Sequence, residues 1–356
     1  MKSLIIGGGL AGLYAAYLLE QQVQDYLLLE AQSRFGGRVQ GFGAEQFELG
    51  ATWFWGDFQP QLTELIDELQ LLIFEQHEQG ELVYERSPQQ TPIRTRGYHN
   101  SPTSLRIQGG MTALIEALRT KLPSERYQTD RQVRRIEHTA QGISVQATDS
   151  SGQSFDYQAE ALLLALPPRL AANLDFRPSL PSDLQRVWAG TPTWMVPHAK
   201  YVAVYEHPFW REQGLSGEGR SPQGILGEIH DISMPDGKAA LFGFFNAPAH
   251  IRAGVSDDDL KTHCRALLTR LFGEQAASPV AETVKDWATD PFTATEQDIL
   301  DGGQHPFAPP THTAYGDWAN ILIGIGSEWS PQFSGYLAGA VEAAALGVAR
   351  LASGRF

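Results

Sequence analysis

The chain has 356 residues, 42% of them hydrophobic and 19% charged, with a net charge of −14. That length suffices for one large domain or two interleaved ones around a sizeable core. The acidity argues against nucleic-acid binding and against docking on an anionic membrane, since both need clustered Lys and Arg. Cys264 is the single cysteine, so neither an intrachain disulfide nor a cysteine metal site is expected. No stretch approaches the roughly 20 apolar residues that span a bilayer. Leu4-Ile5-Ile6 is too short for a signal peptide. These features predict a cytoplasmic protein with no membrane anchor and no metal, and they name no oligomeric state.

Taken in chain order, residues 1–30 read as strand, glycine turn, helix and strand, with the helix near Leu10 to Gln21 and the second strand from Tyr26 to Glu30. Leu62, Leu65, Ile66, Leu69 and Leu72 then recur at helical spacing. Residues 86–103 are rich in Pro, Thr, Arg and Ser and read as an exposed loop. A helix is expected after Gly109-Gly110, followed by short strands at Val133 to Glu137, Ile143 to Ala147 and Ala161 to Leu166. Lys200 to Tyr205 and Ala239 to Phe245 carry the Val, Tyr and Phe content of strands. Ile321 to Ile325 reads as a buried strand, and a helix is expected from about Gly335 to Ala352. The expected fold is α/β: a Rossmann-like nucleotide domain in three pieces (1–56, 104–190, 288–356) and an inserted α+β substrate domain in two (57–103, 191–287).

The strongest local signal is Gly7-Gly8-Gly9-Leu10-Ala11-Gly12, set between an apolar strand and a helix. In such a G-x-G-x-x-G, Gly7 permits the tight turn, Gly9 lets backbone approach a pyrophosphate, and Gly12 lets the helix pack on the strand. Leu10 and Ala11 open that helix, whose free N–H groups and positive end suit a phosphate. Glu30 closes the second strand, where an acidic residue takes the ribose hydroxyls. This pattern alone suits NAD and FAD equally.

The continuation separates them. Glu30-Ala31-Gln32-Ser33-Arg34-Phe35-Gly36-Gly37-Arg38 resembles the second fingerprint of the flavin amine oxidase superfamily, whose FAD domain is of the GR2 type. By that resemblance Gly37 brings backbone near the FAD pyrophosphate, and Arg34 and Arg38 neutralise it. Glu48-Leu49-Gly50-Ala51-Thr52 resembles the segment beside the isoalloxazine ring, and Val133 stands where a valine meets adenine. Gly324-Ile325-Gly326-Ser327-Glu328-Trp329, then Gly335-Tyr336, resembles the last FAD motif. There Gly326, Glu328 and Gly335 would hold FAD, and the final helix would point its N-terminus at the flavin.

The resemblance also implies chemistry. Lys200 matches the lysine that holds a water against flavin N5, Tyr336 one of two tyrosines framing the amine, and Trp287 a tryptophan beside the ring. The second tyrosine would fall near Gln297, and Glu296 stands where some members carry a flavin-linking cysteine, so FAD is expected to be noncovalent. Trp53, Trp55, Phe58 and Phe209 are candidates for an apolar cavity or for core, and His198, near Lys200, and His305 for the pocket or, as lone histidines, for structural roles. The implied activity is amine oxidation, with hydride passing to flavin N5 and O2 as acceptor. A carotenoid- or protoporphyrinogen-type C–C dehydrogenase and a non-catalytic flavin-binding protein are the competing expectations.

Overall fold

The computed structural model describes residues 1–319 and 321–353. Its first sheet is wholly parallel, in the order Leu322–Gly324, Ala161–Leu164, Ser3–Ile6, Tyr26–Leu29 and Tyr127–Gln128. Ser3–Ile6 and Ala161–Leu164 are buried at every position, as parallel strands covered on both faces must be. The period of two divides them: Ile5 and Leu163 pack against the helices Leu10–Gln21 and Leu337–Ser353, while Leu4, Ile6, Leu162 and Leu164 face the opposite layer. That layer is a four-stranded sheet of Ser154–Ala159, Gly142–Thr148, Gln132–Thr139 and Asp175–Arg177.

The second large sheet has seven strands, ordered Ala281–Asp286, Ala199–Tyr205, Ala239–Phe245, Leu226–Asp231, Leu215–Arg220, Glu81–Tyr84 and Ile93–Arg96. Helix Asp257–Phe272 covers one face, where Leu260, Cys264 and Leu267 meet Tyr201, Ala203 and Leu241. Val202, Val204 and Phe242 point the other way, onto Phe47 and Leu49. Lys200 shares that second face by alternation, and this aims it toward the nucleotide-binding half.

Three features depart from expectation. Ile93–Arg96, inside the stretch read as loop, is an edge strand paired with Glu81–Tyr84 and exposed at all four positions. It shows no alternation because neither face is buried. Helix Asp257–Phe272 is absent from the sequence reading, although Ser256 caps it by accepting the Asp259 N–H and three aspartates follow in its first turn. Helix Pro60–Glu68 lies within the first stretch assigned to the substrate domain, yet Leu62, Leu65 and Ile66 pack in the cluster of helices Leu10–Gln21 and Leu337–Ser353.

Candidate active site

One cavity of about 830 Å³ runs from the first glycine turn to Lys200, within the range of small-molecule and cofactor sites. At its nucleotide end the backbone does most of the work. Gly7 has φ +107°, and a Cβ on Gly12 would lie 1.9 Å from the Gly7 carbonyl oxygen, so the helix cannot seat with any side chain there. Helix Leu10–Gln21 has no side-chain cap, which leaves its first N–H groups facing the cavity between Gly9, Leu10 and Ala11. The second glycine turn lies directly against the first. Gly36 donates its N–H to the Gly8 carbonyl at 2.9 Å, and a Cβ on Gly37 (φ +56°) would touch Gly9 Cα at 3.4 Å.

Glu30 is buried at the wall, accepting from the Gly8 N–H at 2.6 Å and the Gln32 N–H at 2.8 Å. Burial raises its pKa, opposed by those two N–H groups. Each carboxylate oxygen keeps further lone pairs for hydroxyl donors. Ala31, Gly50, Ala51, Thr52, Val133, Gly326, Gly335, Tyr336 and Trp287 also line the cavity. Arg38 does too, and it grips Glu328 through Nη1 at 2.5 Å and Nη2 at 3.0 Å. Glu328 is fully buried behind it, so its part is to hold Arg38 rather than to meet the ligand.

Arg34 stands apart from its expected role. It does not line the cavity. Its guanidinium donates to the carbonyls of Phe35 and Gly37 and to Gln40 Oε1, tying down the second glycine turn from outside. The residues present fit FAD: two bare-backbone turns and a helix N-terminus for pyrophosphate, one free-faced carboxylate for ribose, and one arginine within reach.

At the far end, Lys200 Nζ donates to the Gly50 carbonyl and to Thr52 Oγ1, both at 2.6 Å. It also lies 4.2 Å from the Phe242 ring centroid. Burial pushes its pKa down to about 7, partly offset by Glu48 and assisted by Arg106. Two of its three donor directions are used, and the third is open toward the cavity it lines. Trp287 donates its Nε1–H to the Leu49 carbonyl at 3.0 Å, fixing the indole against Gly50.

Residues 91–352 match the family model described as flavin containing amine oxidoreductase, and residues 5–69 match an NAD(P)-binding Rossmann-like domain. The chain belongs to the flavin-containing amine oxidoreductase family. It is 24% identical to a probable flavin-containing monoamine oxidase A of Dictyostelium discoideum, over 95% of this chain and 94% of that one. It is 27% identical to a putative flavin-containing monoamine oxidase of Mycobacterium tuberculosis over 70% of its own length, a match spanning about half (52%) of that relative. Among solved structures it is similar to a redesigned putrescine oxidase (TM-score 0.81, 20% identity, 99% and 98% of the two chains). It is also similar to a cyclohexylamine oxidase of Brevibacterium oxydans (TM-score 0.80, 20% identity, 99% and 98%). The chain is therefore an FAD-dependent amine oxidoreductase, and neither the C–C dehydrogenase nor the non-catalytic alternative is favoured.

The expected gap in the amine oxidoreductase pattern is also explained. Gln297 does not approach the cavity; it lies on helix Glu296–Asp301, where its amide donates to Asp301 Oδ1 at 2.7 Å. That helix acts through Asp298, which is buried, pairs with Arg169 at 2.7 Å and accepts the Thr193 N–H at 2.8 Å. The next residue, Trp194, lines the cavity with its ring 5.0 Å from that of Tyr336. His305 packs tilted against both rings, at 4.8 Å from Trp194 and 5.5 Å from Tyr336, without lining the cavity, whereas His198 does line it. Trp55 stands edge-on to Tyr336 at 6.4 Å and Trp53 lines the same region. Phe58 is exposed and Phe209 is buried beneath helix Asp257–Phe272, so neither reaches the site.

Several wall residues lie outside the sequence reading. Trp194, Arg131, Glu228, Phe244 and Asn246 line the cavity, and only strand register reveals the last three. Among the described residues no cluster of His, Cys, Asp and Glu could hold a metal, and no helix is long and apolar enough to cross a membrane.

Proposed function

We propose that this protein oxidises a small primary amine with O2 as electron acceptor, using Lys200, Tyr336 and Trp287 around the reacting centre. FAD, when bound, supplies the hydride acceptor and returns the electrons to O2. The residues supply the remainder. Gly7, Gly9, Leu10, Ala11, Gly37, Glu30, Ala31, Arg38 and Val133 would hold its nucleotide, with Gly12, Arg34 and Glu328 supporting them from behind. Gly50, Ala51, Thr52, Gly326 and Gly335 would border the ring.

The observation that carries the reading is Lys200. It is a buried amine with one direction left open in the cavity that Trp55, Trp194 and Tyr336 also line. Such a donor can hold a water or stabilise negative charge at a fixed point in a dry site. The aromatic wall excludes water and seats the neutral amine by its apolar body. Cys264, the single cysteine, is buried away from the cavity, so FAD is expected to be noncovalent.

The test is anaerobic mixing of the purified holoprotein with primary, secondary and branched amines, followed by admission of air. Bleaching of the flavin band by primary amines, with peroxide formed on reoxidation, supports the reading. Reduction without peroxide would replace O2 by another acceptor, and no reduction by any amine would overturn the reading itself.

A further inference from the structure

The cavity wall carries one ionisable side chain whose polar atoms the fold does not use. His198 immediately precedes strand Ala199–Tyr205, and its carbonyl accepts the Trp287 N–H at 3.2 Å, continuing the ladder to strand Ala281–Asp286. The two-residue period then carries His198 and Lys200 to the same face, and both line the cavity. Phe244 neighbours both: its ring centroid is 5.2 Å from Lys200 Nζ and 6.2 Å from the imidazole, which it meets edge-on. Gly303 passes the other side, where a Cβ would lie 3.2 Å from His198 Nε2 and 3.3 Å from the Trp194 carbonyl oxygen. The imidazole therefore adjoins both Lys200 and the segment that carries Trp194.

Neither nitrogen of that ring takes part in a hydrogen bond or ion pair among the described residues. Both also stay open to solvent, unlike the sealed Nε2 atoms of His77 and His230. Burial and the Arg252 guanidinium push the His198 pKa below its usual value, so the ring is neutral at pH 7 with a free lone pair. The charged groups on the elements around it are paired with one another: Arg252 with Asp286 at 2.7 Å, and Lys285 with Asp290 at 2.9 Å. On the cavity wall, Glu30, Arg38 and Arg131 belong to the nucleotide end, and Tyr336 offers a phenol. Glu228 is bound by Arg220 at 2.6 Å and held down to about 2, which makes it a weak base. That leaves Lys200, which already donates to Gly50 and Thr52, and His198, which has no such duty.

We infer that His198 is the base that takes a proton from the entering ammonium, so that the amine reacts in its neutral form. The inference rests on the amine-oxidation reading above. An alkylamine has a pKa of about 10.4, like a lysine side chain, and so reaches the cavity at pH 7 almost wholly as ammonium. An ammonium nitrogen has no lone pair to support loss of hydride from the neighbouring carbon. In the proposed step one N–H bond of the substrate breaks and its electron pair stays on the amine nitrogen. The proton bonds to an imidazole nitrogen of His198, and the positive charge passes from substrate to ring. No oxidant or reductant is consumed, and the proton returns to water when the product leaves. A neutral imidazole with a pKa near the working pH suits that exchange.

tert-Butylamine isolates the step, because it has no α hydrogen and binds without being oxidised. Its Kd for the holoprotein is read from the flavin absorbance between about pH 7 and 9, below the pKa of the amine. In the wild type the proton stays within the complex, so the Kd is expected to change little. In His198→Gln the proton must go to solvent, so binding should weaken at pH 7 and tighten about tenfold per pH unit. Lys200 titrates in the same range in both proteins, and Lys200→Met separates the two candidates: a profile as flat as the wild type's leaves the proton with His198. Anaerobic flavin reduction by butylamine at pH 7 should slow at least about tenfold in His198→Gln and recover as pH approaches the pKa of the amine. Added imidazole should restore the rate in His198→Ala, and an unchanged flavin spectrum reports folding in each variant. Superimposable pH profiles for wild type and His198→Gln, or the steep profile appearing in Lys200→Met instead, would overturn the role of His198 and leave amine oxidation standing. Failure of every amine to reduce the wild-type flavin would instead remove the underlying reading together with the base.

Discussion

The two ends of the cavity are built on opposite principles. The nucleotide end is made of backbone: two glycine turns in contact, a bare helix N-terminus and one carboxylate held by main-chain N–H groups. The substrate end is made of side chains from distant strands and loops, with Trp194, Lys200, Glu228 and Asn246 meeting only through sheet register and the Asp298 tether. Backbone sites leave little freedom where a side chain has no room, as at Gly7 with its φ of +107° and at Gly12 against the Gly7 carbonyl oxygen. Side-chain sites can be rewired, because no single residue type is dictated there by backbone geometry.

The comparison breaks most visibly at Gly12. A Cβ there would lie 1.9 Å from the Gly7 carbonyl oxygen, far inside any permitted contact, and backbone cannot yield as a flexible side chain can. Gly12→Val is expected to give no soluble yellow protein, or apoprotein that fails to take up FAD. Recovery of a holoprotein with normal flavin content would refute the claim that this end is fixed by backbone sterics.

Arg38→Ala comes next. It leaves Glu328 fully buried with its guanidinium partner gone, and breaking a buried pair from one side costs about 3 kcal/mol. The expected outcome is weakened FAD retention on gel filtration, together with a fall in thermal stability. Restoring neutrality with Arg38→Ala/Glu328→Gln should recover stability without recovering FAD. That outcome would distinguish the cost of an orphaned buried carboxylate from the need for a cation beside the pyrophosphate.

These contrasts explain what is legible in the sequence. Gly7 to Gly12, Glu30, Gly36-Gly37 and the segment from Gly324 to Tyr336 announce themselves because local spacing alone dictates their geometry. Lys200 is legible only through family resemblance, since a lysine opening a strand has no signature of its own. Trp194, Glu228 and Asn246 are not legible at all. Their meeting depends on which strands pair, and nothing local to Gly227-Glu228 or Phe245-Asn246 states that. Helix Asp257–Phe272 escapes for a milder reason: its cap at Ser256 is written plainly, but a run of three aspartates reads as a solvated loop.

Lys200→Met tests the substrate end, with an expected effect of at least tenfold on flavin reduction or reoxidation, about 1.4 kcal/mol in barrier. The same variant carries a pH signature. Lys200 holds a pKa near 7 in the folded protein against about 10.4 when unfolded. Between those values the unfolded chain binds the extra proton, so the wild type gains stability as pH rises through that window. Below pH 7 both states are protonated and the burial penalty is felt in full. The difference in melting temperature, wild type minus Lys200→Met, is therefore expected to increase from about pH 7 toward pH 10. A flat difference would mean that Lys200 stays charged in the fold.

Arg34→Gln is the smallest effect and the sharpest discriminator between the family pattern and this molecule. The pattern makes Arg34 a partner of the pyrophosphate, equivalent to Arg38. Here its guanidinium is spent on the carbonyls of Phe35 and Gly37 and on Gln40, outside the cavity. Losing such partly buried hydrogen bonds costs about 1 kcal/mol of stability, and glutamine can remake one of them. FAD content, and the salt dependence of FAD release, should match the wild type. Flavin loss comparable to that of Arg38→Ala would mean that the second glycine turn reaches its working shape only when Arg34 swings inward to the phosphates, and the boundary drawn here between support and contact would have to move.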